Sequence, residues 1–353
     1  MNTLTERKDA FIALGKFIAQ FALETPVKKR DIPYNDIFFE GMQNKMMVAE
    51  HHNAWFSNEN IRFALQRWAE ALQEKSLNKW LQEYNLENRK EKRVAIIMAG
   101  NIPLVGFHDF LSVLLCGHQV VVKQSSKDKQ LLPYLASYLE KIEPKLKGKI
   151  HFTEERLENF DAIIATGSNN TARYFDYYFS KYPHIIRKNR NSVAVLTGKE
   201  TPLQLKGLAD DIFRYYGLGC RNVSKLFVPE DYNFDTFFNA VFPWNYLVNK
   251  QKYANNYDYN KAVYLMSSFP LLDNGFLLLK EDNSYSSPIA TVFYEYYSSK
   301  EKLHTKIEQE NASIQCVVAS GFMDAEVAFG ETQHPNLWDY ADNEDTVSFL
   351  LKI

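Results

Sequence analysis

Short apolar runs alternate with helical stretches between Arg93 and Thr197, and no other feature of the chain limits its fold so strongly. RVAIIMA suits a strand buried on both faces, and GNIP breaks it with two turn formers. PLVGFHDFLSVLLCG follows with helical spacing, and Gly117 stands where a helix ends in a left-handed glycine. QVVVK, the helix KDKQLLPYLASYLEKI, DAIIAT, the helix SNNTARYFDYYFSKY and NSVAVLT continue the alternation. A parallel sheet with crossover helices is predicted, with its ligand site beyond the carboxyl ends of the strands. GNIP, KQSS and TGS stand at the first three of those ends. No G-x-G-x-x-G follows any of these strands; GLGCRN at 217–222 is half of one but follows a helix, which disqualifies it as a phosphate loop.

A length of 353 residues, 46% of them apolar and 24% charged, is that of a globular protein of about two domains. Helices with many charges are predicted over residues 4–90, as packing or lid elements. Helices and the first sheet are assigned to residues 1–197, a less regular second domain to 198–330, and a tail at 331–353 is expected to dock back on the body. NVSKLFVP, FLLLKE, SPIATVFYEYY and SIQCVVAS read as strands of the second domain, with helices near 233–242 and 299–310.

Charge and cysteine usage exclude several classes. Forty-one Lys and Arg against forty-three Asp and Glu leave no basic surplus for nucleic acid. Glu6, Arg7, Lys8, Asp9 and Lys16 interrupt the N-terminal segment, which reads as an amphipathic surface helix, not a leader. Asn101, Pro103, His108, Asp109 and His118 break up the apolar stretch from Val94 to Val122, so no stable membrane anchor is expected. Three cysteines make no disulfide framework, and no zinc-ligand spacing occurs, so no metal is expected. A reducing, cytoplasmic setting fits this usage.

Cys220 carries the most chemical information, because the glycines around it let a substrate approach the backbone, and Arg221 beside it would favour the thiolate. Cys116 and Cys316 lie in apolar runs and read as small buried hydrophobes. A cysteine attacking an acyl carbon needs donors for the oxyanion, and the Asn101 amide, in the loop after the first sheet strand, is a candidate. Alone it would read as a turn residue. No G-x-S-x-G elbow is present. The histidines are scattered: His51 and His52 are adjacent and so point in different directions, and His108 and His118 fit a helix surface and a turn.

Taken in order, GNIPLVGFHDFLSVLLCG, HQVVVKQSSKD, DAIIATGS, NSVAVL and GLGCRN resemble the aldehyde dehydrogenase superfamily, and within it the acyl-CoA reductases of the LuxC type. The likeness covers residues 93–230, and the tail HPNLWDYADNEDTVSFL looks like the end of that family. It implies an aldehyde dehydrogenase-like α/β fold: a parallel-sheet NADP-binding domain and a smaller α/β catalytic domain carrying Cys220. It makes Cys220 the acyl-accepting nucleophile, with the Asn101 side chain and the Cys220 N–H as oxyanion donors. Lys123 and Ser125 match positions that hold the adenosine ribose, and Thr166, Gly167 and Ser168 the turn where the cofactor crosses the sheet edge. An acyl-CoA substrate, NADPH and a homo-oligomeric state follow from the same resemblance.

Three departures refine that expectation. NAD-preferring relatives carry a Glu three residues after the lysine, where it would repel a 2′-phosphate; here that residue is Ser126, and Lys127 adds positive charge. Oxidising relatives carry a water-activating Glu before NSVAVL, where this chain has Arg187, Lys188, Asn189 and Arg190. Transfer of an acyl group from CoA needs no activated water, so the departure favours a reductase. A Glu that touches the nicotinamide ribose in many relatives would fall near Ser284, and the region after Cys220 is shorter than usual. The same residues would suit a cysteine acyltransferase or thioesterase without hydride transfer, or a catalytically silent acyl-CoA- or nucleotide-binding partner protein.

Overall fold

A computed structural model describes residues 3–87 and 90–353. The chain divides into two compact units, one of residues 1–188 with 336–353 and the other of residues 189–335.

The first unit opens with four helices, α1 (Leu4–Ala19), α2 (Asn35–His52), α3 (Asn58–Ala71) and α4 (Glu74–Leu81). Thr3 and Glu6 start α1 by a reciprocal capping box, in which each side chain accepts the other's backbone N–H. Ala10, Phe11, Leu14, Phe17 and Ile18 recur at helical spacing and are fully buried, so α1 is a core helix on one face.

Strands and helices then alternate as β1 (Arg93–Ile97), α5 (Phe107–Leu115), β2 (Gln119–Lys123), α6 (Leu131–Ile142), β3 (Ile150–Thr153), β4 (Ala162–Thr166), α7 (Asn169–Phe179) and β5 (His184–Arg187). The sheet is wholly parallel in the order β3-β2-β1-β4-β5. Successive crossovers reverse direction at β1, so the crevice beyond its carboxyl end is a switch point of the kind that receives ligands. Val94–Ile96, Val120–Val122 and Ala162–Ala165 are buried on both faces, as their unbroken apolar runs require. At the end of α5, Gly117 is left-handed (φ +85°) and closes a Schellman pair: Gly117 N–H donates to Leu114 O and His118 N–H to Val113 O.

The second unit holds β6 (Asn191–Val195), α8 (Pro202–Phe213), β7 (Val223–Pro229), α9 (Phe234–Val241), α10 (Gln251–Met266), β8 (Leu271–Asp273), β9 (Leu278–Glu281), β10 (Thr291–Tyr297), α11 (Lys300–Gln309) and β11 (Ile314–Val318). Its sheet runs β11-β6-β7-β10-β9-β8, with only β8 antiparallel to its neighbour. Asn191–Val195, expected to close the first sheet, lies in this second sheet. β5 already takes the edge beside β4, and Asn191–Val195 pairs instead with β7 and β11. The division accordingly falls after residue 188 instead of 197, and after 335 instead of 330.

The helix α12 (Thr346–Leu350) belongs to the first unit. The His108 ring meets Leu337 O at 2.8 Å and His118 meets Leu350 O at 3.1 Å, so both rings fasten the tail; burial lowers the pKa of each. His118, in the turn after Gly117, is buried. Among the described residues no helix is long and apolar enough to cross a membrane.

Candidate active site

In the second unit, a capping box and a first-turn proline start α8, whose end is abrupt. Tyr215, Tyr216 and Gly217 all adopt left-handed backbone, with φ of +54°, +59° and +76°. Two consecutive non-glycine residues in that region carry steric strain that the surroundings must hold. Asn222 holds it: buried, it accepts from Gly219 N–H at 2.8 Å and donates to the carbonyls of Asp211 at 3.0 Å and Arg214 at 2.8 Å. The Cys220 carbonyl accepts from Ser192 Oγ at 3.0 Å. Cys220 itself is exposed, whereas Cys116 and Cys316 are buried. Arg221 donates from Nε to Thr332 O at 2.8 Å, which ties part of its guanidinium to the backbone.

Segment 282–285, where the ribose glutamate of the relatives would fall, is pinned by β7. The buried Lys225 ammonium donates to the carbonyls of Asp282 and Asn283 and pairs with Glu295, and Ser224 Oγ donates to Tyr285 O at 2.6 Å. Ser284 N–H is turned onto the Asp282 carboxylate at 2.8 Å.

In the first unit, β1, β2 and β4 deliver three loops to one sheet edge. Met98 N–H donates to Lys123 O at 3.0 Å, joining the loop that carries Asn101 to the end of β2. Lys123 Nζ reaches Glu155 O at 3.0 Å. Ser125 accepts Lys127 N–H on its hydroxyl, Asp128 N–H binds Ser125 O, and Ser126 and Lys127 are exposed. Asp128, which the sequence reading passed over, accepts Leu104 N–H at 3.3 Å, and Leu104 is left-handed (φ +57°). Burial pushes the Asp128 carboxyl up to about 6. Thr166 ends β4, Gly167 N–H donates to Arg187 O at 3.2 Å, and Ser168 caps α7 by accepting from Thr171 N–H at 3.3 Å. Arg187 is buried and pairs with buried Asp109 and Thr346.

Hydroxyls at 125, 126 and 168, ammonium groups at 123 and 127, and the start of α7 form a donor set suited to a dinucleotide's ribose and phosphate oxygens. No carboxylate at 126 would oppose a 2′-phosphate. Among the described residues no cluster of three His, Cys, Asp or Glu side chains is placed to hold a metal ion.

Comparison with known proteins matches residues 23–240 to the family model of the acyl-CoA reductase LuxC. No curated protein matches. Solved structures share the fold: aldehyde dehydrogenase 21 from Physcomitrella patens superposes with a TM-score of 0.66 at 14% identity, over 99% of this chain and 84% of that one. P. syringae AldA, an indole-3-acetaldehyde dehydrogenase, gives 0.64 at 12% identity, over 90% and 72%. An aldehyde dehydrogenase from Bacillus cereus gives 0.59 at 14%, over 90% and 72%. This aldehyde dehydrogenase-like α/β chain belongs to the LuxC family of acyl-CoA reductases and is an oxidoreductase.

Proposed function

We propose that the protein reduces a fatty acyl-CoA thioester to the aldehyde with NADPH, through an acyl-enzyme on Cys220. The observation that carries this reading is the exposure of Cys220 on a strained, glycine-rich turn while the other two cysteines are buried. The Cys220 thiolate attacks the thioester carbonyl, and the Asn101 amide and Cys220 N–H receive the oxyanion. The sulfur–carbon bond to CoA then breaks and the CoA thiolate leaves. NADPH, when bound, supplies the hydride that reduces the acyl thioester. The resulting thiohemiacetal anion on Cys220 re-forms its carbonyl as the carbon–sulfur bond breaks, giving free aldehyde and the restored thiolate with no net proton taken up. Lys123, Ser125, Ser126, Thr166, Gly167 and Ser168 hold the dinucleotide. Two of the compared structures, AldA and the B. cereus enzyme, contain NAD+, which supports a nicotinamide dinucleotide here. The lack of a carboxylate at 126 supports its phosphorylated form. At 187–190 there is no carboxylate to activate water, which supports reduction over hydrolysis.

Incubation of the pure protein with a fatty acyl-CoA and NADPH tests this reading. Loss of the nicotinamide absorbance matched by CoA release is expected. Release of CoA alone would mean acyl transfer or hydrolysis, and neither signal would mean a silent binding protein.

A further inference from the structure

The two residues that follow Cys220 lead by separate routes to Asp211, Arg221 through Thr332 to its carboxylate and Asn222 to its backbone carbonyl. Arg221 Nε donates to Thr332 O at 2.8 Å, and Thr332 donates its N–H at 3.0 Å and its hydroxyl at 2.8 Å to Asp211 Oδ1. Asn222 Nδ2 donates to the Asp211 carbonyl at 3.0 Å. Gly330 N–H fills the other carboxylate oxygen at 2.7 Å. Asp211 and Thr332 are wholly buried. The backbones beneath them touch directly: a Cβ on Gly207 would stand 2.8 Å from Phe329 O, and Gly330, with φ of +88°, packs against Gly207. Asp211 interrupts the buried stripe of α8 formed by Leu205, Leu208, Ala209 and Ile212, where an apolar side chain would serve packing at least as well.

We propose that the Asp211 carboxylate is a positioning group for Cys220, fixing the turn at 217–222 through Thr332 to Arg221. It does not touch substrate; it sets where the thiol and the Cys220 N–H stand. This inference rests on Cys220 being the nucleophile. The strained Tyr215–Tyr216 backbone gives the turn a reason to need such a clamp, since a loosened turn relaxes toward ordinary dihedral angles and moves the thiol.

The test compares wild type, Asp211→Asn, Arg221→Ala and the double variant. Asn at 211 still accepts from Thr332, but its amide group cannot accept from Gly330 N–H. Single-turnover acylation by a fatty acyl-CoA, followed as the Cys220 adduct by peptide mass, should fall about 10–100-fold in each single variant. In Asp211→Asn, NADPH binding should not change, and alkylation of Cys220 by iodoacetamide, which needs no aligned oxyanion donor, should stay near the wild-type rate. The double variant should be no slower than the slower single, because both changes cut one chain of contacts. Acylation at the wild-type rate in Asp211→Asn or Arg221→Ala, or independent losses that multiply, would overturn the positioning role alone. Absence of any Cys220 adduct in the wild type would overturn the nucleophile and, with it, this inference. Arg221 is only half-buried, so Arg221→Ala keeps the test decisive even if Asp211→Asn fails to fold.

Discussion

A Cβ on Gly100 would lie 2.5 Å from both Cβ and Oγ of Ser125, so the loop after β1 and the loop after β2 touch through the missing side chain. Gly100 has no left-handed backbone to maintain; its requirement is for space alone. Gly100→Ala should therefore cost about 1–3 kcal/mol of stability by overpacking and weaken NADPH binding. Ser125→Gly in the same chain should restore most of the stability, because it removes the atoms that clash. Denaturant unfolding of the two single variants and the double checks this, and a double variant as unstable as Gly100→Ala would contradict it.

Asp128 gives the stability a pH dependence whose sign is fixed. Its carboxyl titrates near 6 when folded, against about 3.9 in an unfolded chain. Between those values the folded state holds the extra proton, so this group makes stability fall as pH rises and level off above about 6. Asp128→Asn removes that slope. The variant should gain relative to wild type by up to about 3 kcal/mol between about pH 4 and pH 7. Urea titrations at the two pH values measure the difference; an unchanged difference would show that Leu104 N–H and solvent keep the carboxylate ordinary.

Arg187 and Lys188 are adjacent yet should behave oppositely. Arg187 is buried against Asp109, and its removal leaves a buried charge uncompensated, so Arg187→Ala should cost about 3–5 kcal/mol. Lys188 is exposed and 3.7 Å from Asp176, so Lys188→Ala should cost about 0–1 kcal/mol. Equal losses in denaturant unfolding would refute the assignment.

The runs RVAII, QVVVK and AIIAT were legible because each is apolar without interruption, and their strands lie where the alternation put them. IHFT and HIIR were not: four residues long, each with an exposed histidine, they show no run to detect. NSVAV reads as a strand but lies in the other sheet, since an apolar run says that both faces of a strand are covered and not which strands pair with it. The exposure of Cys220 agrees with the glycines around it, whereas its clamp was invisible in sequence. The only trace was Asp211 inside an apolar helical stripe, a carboxylate where burial demands partners that lie more than a hundred residues away at Gly330 and Thr332.

Cofactor choice follows from residue 126. With Ser126 and Lys127 exposed at the end of β2, the protein should bind NADPH more tightly than NADH, and the preference should weaken as salt rises. Ser126→Glu should reverse the order, because the carboxylate repels a 2′-phosphate and accepts from a free ribose hydroxyl. Fluorescence titration of both cofactors into both proteins reads this directly. Tighter NADH binding by the wild type would remove this loop from the cofactor site.

The central claim is that Cys220 carries the acyl group. The direct measurement is peptide mass spectrometry of the protein quenched after exposure to a fatty acyl-CoA without NADPH, beside Cys220→Ala. One acyl adduct is expected, on Cys220, lost in the variant and discharged from the wild type as aldehyde when NADPH is added. An adduct on Cys116 or Cys316, or turnover that survives in Cys220→Ala, would contradict the account.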